Sequence, residues 1–210
     1  MESEYFHCRD EPIRGTRGAG RGRLDLRWHT RPVLPAPGTV VATGVFDVLH
    51  VGHLHFLRSA RAAGTGLVVG VEDDERAHAR KGAGRPIVTA AERCELLAAL
   101  EPVDGVFMIS GPSGLAPAPA YYALLAPLEP AALAFTAGDP AEAGKRIVAA
   151  RLGARVVEVP QLQGRSTTWL VTRSFDAFAP GSYAAPISAT HDATPGPPSV
   201  CATPRRAPMT

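Results

Sequence analysis

The sequence predicts an α/β fold in which a doubly wound, mostly parallel sheet carries helices on both faces, and three observations support it. Continuously apolar segments alternate with segments whose apolar residues recur at helical spacing. Signals for helix starts and ends stand at the borders of the helical segments. The 21 glycines and 20 prolines are placed unevenly, which sets the alternating region apart from both ends of the chain. Alternation of this kind implies parallel strands joined by right-handed helical crossovers.

About five strands are predicted from short apolar runs, at residues 39–46, 66–72, 105–110, 131–138 and 154–160. A run that is apolar without interruption is typical of a parallel strand covered on both faces. The first helix is predicted over residues 51–64, where leucines recur at helical spacing and a glycine closes the segment. The next begins at Thr89, because Glu92 three residues later completes a capping box. Further helices are predicted at residues 118–126, 139–152 and 167–178.

Composition divides the chain into one domain and two flanking segments. Residues 1–37 are rich in Arg, Gly and Pro without a sustained period, and residues 179–210 are rich in Pro, Ser, Thr and Ala. Neither segment has enough apolar surface to offset the entropy of ordering, so both are expected to be disordered. Residues 38–178 remain as a single Rossmann-like domain.

Charge and cysteine content indicate which partners and which cellular compartment are expected. The formal net charge of +2 is too small to argue for nucleic acid or a membrane surface as partner. The three cysteines, Cys8, Cys94 and Cys201, form no CxxC pair, which favours a reduced, cytoplasmic setting. No apolar run reaches the length that spans a bilayer, and the N-terminus lacks the apolar core of a signal peptide.

The stretch "GVFDVLHVGHLHFL", residues 44–57, holds the candidate site. It follows the carboxyl end of the first predicted strand, where doubly wound folds bind ligands. The N-terminus of the next helix offers unpaired N–H groups, and the imidazoles of His50 and His53 are able to donate hydrogen bonds to phosphate oxygens. Gly52 between them would let a phosphate approach the backbone. An anion site accounts for all these features, whereas a zinc site lacks further ligands at suitable spacing. A packing role for both histidines is the remaining alternative.

The same stretch resembles the G-x-F-D-x-x-H-x-G-H signature of the nucleotidyltransferase superfamily of cytidylyl- and adenylyltransferases. Residues 80–107 resemble the superfamily's Lys-x-x-x-Arg-Pro, Glu-x-Arg and Val-Asp segment. "AGD" (137–139) matches the Gly-Asp that ends its fourth strand, and "GRSTTWLV" (164–171) matches the Ser-Thr-Thr motif of its last helix. The resemblance, which covers about residues 39–175, implies a reaction. An oxygen of a phosphorylated small molecule attacks the α-phosphorus of an NTP bound with Mg²⁺, and pyrophosphate leaves.

The resemblance also implies residue roles. His50 and His53 would hold the α- and β-phosphates, and Lys81 would neutralise phosphate charge during catalysis. The nucleotide-binding residues would be Gly44, Val45, Phe46, Asp47, Gly52, Arg93, Gly138, Asp139, Ser166, Thr167 and Thr168. In this set Asp47 would orient the site, Arg93 would neutralise phosphate, and the three hydroxyls would donate to the β- and γ-phosphates. Arg85 is left open between a phosphate contact and a solvated side chain. No protein-bound metal is expected beyond the Mg²⁺ of the NTP.

Two subgroups of the superfamily compete. "KGAGRP" (81–86) and "ALEPVD" (99–104) are similar to the sugar-phosphate adenylyltransferases of heptose activation, which favours ATP and a sugar phosphate. These enzymes carry a lysine where this chain has Thr136. The alternative is CTP with glycerol phosphate, another alcohol phosphate or a phosphonate, and a non-catalytic nucleotide-binding regulator is a second alternative. The resemblance leaves a homodimer open.

Overall fold

The structure is a computed structural model that describes residues 22–32, 37–115 and 117–177. The chain divides into two units, Met1–Val171 and Thr172–Thr210. Within the second unit only residues 172–177 are described, as the end of a helix that begins in the first. The predicted C-terminal tail, residues 179–210, lies outside the described residues, as do residues 1–21 of the predicted N-terminal arm.

The architecture is the predicted α/β sheet, with six described strands rather than about five. In chain order they are β1 (Asp25–Thr30), β2 (Thr39–Gly44), β3 (Gly66–Glu72), β4 (Gly105–Ser110), β5 (Ala132–Thr136) and β6 (Arg155–Val159). The helices are α1 (Val51–Ala62), α2 (Asp74–Lys81), α3 (Ala90–Ala98), α4 (Pro117–Leu125), α5 (Glu142–Leu152) and α6 (Thr167–Ala177). The strand order is β1-β4-β3-β2-β5-β6, and every pairing is parallel except β1 with β4.

Strand β1 corrects the prediction that residues 1–37 form an arm without regular structure. It pairs antiparallel with β4 at the edge of the sheet. Its sequence alternates apolar and polar residues, and the Trp28 ring packs edge-on against Phe107 with ring centroids 5.5 Å apart. Such alternation is typical of an edge strand with only one face covered. The segment is too short and too charged to stand out by composition, and the existing β4 edge supplies the surface that orders it.

Helix α2 is a second element that the sequence did not predict. Its eight residues are mostly charged, and only Arg76 and Ala77 are buried. The helix begins where the Asp73 carboxylate accepts the N–H of Arg76 at 2.8 Å. Lys81 is the last residue of this helix.

Two hydrophobic clusters lie on opposite faces of the sheet, which is what a doubly wound fold requires. One includes Leu57 of α1 and Leu97 of α3, and the other includes Leu125 of α4 and Val148 of α5. The chain therefore crosses from one face to the other between β4 and β5, and the strand order reverses between β2 and β5. Ligands of such sheets bind outside the carboxyl ends of the strands at this switch point. None of the helices in the described part of the chain is long and apolar enough to cross a membrane.

Candidate active site

A cavity of about 440 Å³ opens at the carboxyl ends of β2 and β5, at the switch point. We call it the polar cavity. It is lined by every residue predicted for the site except one, Arg93: Gly44, Val45, Phe46, Asp47, His50, Gly52, His53, Lys81, Gly138, Asp139, Ser166, Thr167 and Thr168. These residues come from four separate parts of the sequence. The topology brings them together because β2 and β5 are neighbours in the sheet while α1 and α6 both begin at its carboxyl edge.

His50 is the N-cap of helix α1 and is held in one orientation. Its Nδ1 accepts the backbone N–H of Gly52 at 3.0 Å, while its backbone is extended. A neutral imidazole that accepts at Nδ1 carries its hydrogen on Nε2. The capping bond therefore leaves Nε2–H as a hydrogen-bond donor for a ligand.

The His53 ring stacks on His50, with ring centroids 3.9 Å apart and an interplanar angle of 27°. Its Nδ1 is buried and has no hydrogen-bond partner in the described part of the chain. Burial lowers the pKa of His53 to about 4, with smaller contributions in the same direction from His50 and Lys81, against an opposing one from Asp47. Both rings are therefore neutral near pH 7, since burial also lowers the pKa of His50. Two neutral imidazoles stack without the repulsion that two imidazolium ions would feel.

Gly52 is required by packing within the protein. A Cβ at this position would lie 2.8 Å from Cε1 of His50 and 2.9 Å from the Arg165 carbonyl oxygen. Real Cβ atoms essentially never come so close, so any side chain here would displace His50 or the segment before α6. The sequence predicted that glycine lets a phosphate approach; here it lets His50 and the Arg165 carbonyl approach.

Asp47 is buried and ties two loops together. Its carboxylate accepts the backbone N–H groups of Ile87 and Val88, each at 3.0 Å, and the Nε–H of Arg85 at 2.7 Å. Burial acts to raise the pKa of Asp47, but these donors outweigh it and leave the pKa below its usual value. The charge stays on the carboxylate. Arg85 is the ion-pair partner of Asp47 through its Nε–H, and it also lines the polar cavity.

The loop after β5 places Asp139 beside a lysine that the sequence did not nominate. The Asp139 carboxylate accepts the N–H of Ala141 at 2.8 Å and pairs with Lys145 Nζ at 2.7 Å. Lys145 Nζ also donates to the Thr43 carbonyl at 3.0 Å. Burial acts to raise the pKa of Asp139, but Lys145 outweighs it and the pKa is lowered. Lys145 thus fixes the loop after β5 to the end of β2.

The start of helix α6 faces the same cavity. Ser166 Oγ accepts the N–H of Trp169 at 3.1 Å, which is the bond of an N-cap. Thr167 Oγ1 donates to the Asp47 carbonyl at 2.7 Å, so its hydroxyl hydrogen is used within the protein. Of the three hydroxyls predicted to donate to phosphates, that of Thr167 instead connects α6 to the loop before α1. The N-termini of α1 and α6 therefore meet at one cavity, and both favour a bound anion.

Comparisons with known proteins agree with this geometry. A family model described as cytidylyltransferase-like matches residues 41–114, which include His50, His53 and Lys81. The bifunctional protein HldE of Methylococcus capsulatus is 41% identical over 103 residues, which are 47% of this chain and 22% of that protein. The bifunctional protein HldE of Syntrophotalea carbinolica is 36% identical over 167 residues, which are 76% of this chain and 32% of that protein.

The chain belongs to the cytidylyltransferase-like family. It spans only about a fifth to a third of the length of these curated relatives. A crystal structure of the lipopolysaccharide core biosynthesis protein from Thermoplasma volcanium is 31% identical. That match covers 59% of this chain and 95% of that one, with a TM-score of 0.44.

The structure changes the role that the sequence predicted for Arg93. Its side chain is fully buried, and its guanidinium donates to the carbonyl oxygens of Val88 and Val45 and to the Asp74 carboxylate. It has no exposed surface with which to neutralise a phosphate. Arg93 instead holds the segment before α3 against the end of β2, and so positions Val45 at the cavity wall.

Three basic residues that line the polar cavity were missed in the sequence: Arg80, Lys145 and Arg165. Arg80 lies on the unpredicted helix α2, one residue before Lys81. Lys145 lies on α5, six residues after the predicted site residue Asp139. Its position in the helix that follows Asp139 could have nominated it from the sequence. Arg165 directly precedes the Ser-Thr-Thr motif, which was also a usable signal.

Proposed function

We propose that the protein transfers AMP from ATP to the phosphate of a small molecule, a sugar phosphate in the first instance, and releases pyrophosphate. The observation that supports this proposal is the meeting of two helix N-termini at one cavity, with the stacked pair His50 and His53 at one of them. Unpaired N–H groups, a fixed imidazole donor and the cations Lys81 and Arg165 are what a triphosphate requires. Family membership supports the reaction class.

In the proposed reaction an oxygen of the acceptor phosphate attacks the α-phosphorus of the nucleotide. The bond from that phosphorus to the α,β-bridging oxygen breaks, and the electron pair leaves with pyrophosphate. The attacking oxygen is already anionic near neutral pH, so no strong general base is needed. His50 Nε2–H and the N-terminus of α1 would stabilise charge that develops on the α-phosphate, and Lys81 would neutralise the departing phosphates. Mg²⁺ is expected to enter with the nucleotide as part of that substrate.

Adenylyl transfer to a sugar phosphate is favoured by the resemblance of residues 81–86 and 99–104 to enzymes of heptose activation. The competing function is cytidylyl transfer to glycerol phosphate, another alcohol phosphate or a phosphonate. Thr136 stands where the heptose-activating enzymes carry lysine. Because of this difference, the identity of the nucleotide base, adenine or cytosine, is itself part of the proposal. A cytoplasmic location, a homodimer and the absence of nucleic acid or membrane partners stay predictions.

The decisive experiment measures pyrophosphate release with ATP, CTP, GTP and UTP, each against hexose phosphates, glycerol 3-phosphate and a phosphonate. Two ATP analogues serve as matched controls for the bond that breaks. The β,γ-methylene analogue should still react and release methylenediphosphonate, because its α,β-bridging oxygen is intact, whereas the α,β-methylene analogue should not. For both analogues the AMP-bearing product is measured in place of pyrophosphate. The opposite pattern would indicate phosphoryl transfer and overturn the proposal. Tight ATP or CTP binding without release in any combination would instead identify a nucleotide-binding regulator.

A further inference from the structure

A second cavity, of about 170 Å³, lies between helices α4 and α5 on one face of the sheet. We call it the apolar cavity. Most of its wall is aliphatic, and includes Val41, Leu115, Leu125, Leu133 and Val148. At about 30 Å³ for each molecule of liquid water, it has room for roughly six waters, and the aliphatic part of its wall offers them no hydrogen-bond partner. A cavity of this kind favours an apolar guest.

The two cavities adjoin each other. Thr43, Arg80 and Lys145 line both of them, so these residues form the boundary between the polar cavity and the apolar cavity. Arg80 is also close enough to Asp139 to help lower the pKa of that carboxyl, which places the Arg80 guanidinium near the Asp139–Lys145 pair. Arg80 of α2 and Lys145 of α5, the latter paired with Asp139, therefore stand on the boundary between the two cavities.

Arg80 is held at the boundary by a buried carboxylate. Glu72 is fully buried at the end of β3, and it pairs with Arg76 and with Arg80, the latter at 3.0 Å, while accepting the Tyr121 hydroxyl. Two arginines share this carboxylate, and the carboxylates of Asp73 and Asp139 lie close to Arg76 and Arg80 respectively. Only Nη1 of Arg80 has a partner among the described residues, which leaves Nε and Nη2 for a ligand.

We infer that the acceptor binds across this boundary, with its phosphate between Arg80 and Lys145 and its organic group inside the apolar cavity. The inference rests on the proposed transfer to a phosphate, and it adds the acceptor class. That class is a phosphate monoester with a largely apolar organic group, which for a sugar phosphate means a deoxygenated or alkyl-bearing sugar. The phosphate oxygen would then face the polar cavity, where the α-phosphorus of the nucleotide is expected.

The wall chemistry disfavours fully hydroxylated acceptors. Hydroxyl groups buried against Leu125, Leu133 and Val148 would lose their hydrogen bonds to water without replacement. Of the polar side chains that line the cavity, those of Arg76, Arg80 and Tyr121 are gathered around Glu72, and the others are Thr43, Ser113 and Lys145. A hydrophobic pocket rejects an added hydroxyl by up to about a hundredfold, so a preference of about tenfold or more is expected.

The experiment compares acceptors of matched size. Cyclohexyl phosphate is paired with glucose 1-phosphate, n-propyl phosphate with glycerol 3-phosphate, and cyclohexanol serves as the phosphate-free control. The apolar member of each pair should show a KM at least tenfold lower in pyrophosphate release, and cyclohexanol should not bind. An equal or lower KM for the hydroxylated members would overturn the inference.

Variants in the wall of the apolar cavity test whether the organic group of the acceptor binds there. A Cβ at Gly144 would meet nothing within 4 Å, so Gly144→Phe should fill the apolar cavity, while Gly144→Ala is the matched control. The phenylalanine should raise the KM for cyclohexyl phosphate at least tenfold and leave the KM for ATP within twofold. Ala118→Phe, from the α4 wall, provides a second blocking variant if the first fails to fold.

Calorimetric binding of cyclohexyl phosphate separates this inference from the proposed function, because it needs no turnover. Binding to the wild type and to Gly144→Ala, with loss in either phenylalanine variant, supports the site even if no nucleotide is transferred. No binding to the wild type at millimolar concentration, or unchanged binding in the filled variants, overturns it. Pyrophosphate release with glycerol 3-phosphate in the absence of such binding would keep the proposed function and remove the acceptor site.

Discussion

The polar cavity and the apolar cavity share three residues but are built in opposite ways. In the polar cavity several side chains are fixed by hydrogen bonds: His50 by Gly52, Asp47 by two backbone N–H groups, and Lys145 by Asp139. The wall of the apolar cavity is made mostly of aliphatic side chains packed between two helices and the sheet. The polar cavity therefore suits a reaction that depends on the exact placement of charge. The apolar cavity is suited to selecting a ligand by shape.

The largest expected effect comes from removing one of the two stacked histidines of the polar cavity. His53→Ala should lower kcat by about 10²- to 10³-fold, as expected when a group that stabilises developing charge is removed. His55→Ala is the matched control, because His55 is exposed on the same helix and lies outside both cavities. Steady-state pyrophosphate release with both variants, with circular dichroism to confirm folding, is the measurement. Retention of wild-type kcat in His53→Ala would remove the histidine pair from the proposed mechanism.

The second-largest expected effect tests whether Arg93 positions the wall of the polar cavity or contacts the substrate. Arg93→Met leaves the Val45 and Val88 carbonyls without this donor and removes one of two donors to the Asp74 carboxylate, and should lower the free energy of unfolding by about 3 kcal/mol. Arg58→Met, at an exposed position on α1, should change it by less than about 0.5 kcal/mol. Urea denaturation measures both. A stable Arg93→Met protein with a raised KM for ATP would restore the direct phosphate role.

The contrast between the cavities also explains which features of the fold and site could be predicted from the sequence. The strands and the start of α1 carry local patterns, and parallel strands bring their carboxyl ends together, so the motif residues could be assigned to one site before the structure. Arg93 could not be assigned correctly, because a charged residue on a helix usually faces solvent and its acceptor at Val45 lies 48 positions away. The apolar cavity has no motif at all. Its aliphatic wall residues look like any core residues in the sequence, and only the packing of α4 against α5 leaves space between them.

A pair of glycines compares the two cavities directly. Gly52→Ala places a Cβ at 2.8 Å from His50 and should destabilise the fold by about 1–3 kcal/mol. Gly144→Ala places its Cβ in open space on a helix and should stabilise the fold by about 0.5–1 kcal/mol. Thermal and urea unfolding of the two variants should therefore shift in opposite directions. Equal shifts would contradict the close contact at Gly52 or the space at Gly144.

The smallest expected effect is the pH dependence that the buried histidine brings to the polar cavity. Its pKa is about 4 in the folded protein, against about 6.5 in the unfolded chain. As pH falls below 6.5, the unfolded chain takes up a proton that the folded protein refuses until about pH 4. The contribution of His53 is therefore complete above pH 6.5 and is lost between pH 6.5 and 4.

Between pH 6.5 and 5.5 this loss should reach about 1 kcal/mol, since one pH unit is worth at most about 1.4 kcal/mol for a single group. His53→Leu should flatten the dependence of the unfolding free energy on pH in that window, while His55→Leu should keep the wild-type slope. Urea denaturation at pH 7, 6, 5.5 and 5 measures the slopes. An unchanged slope in His53→Leu would mean that the ring is solvated, and a solvated ring would not require the stacked, neutral pair on which the phosphate site depends.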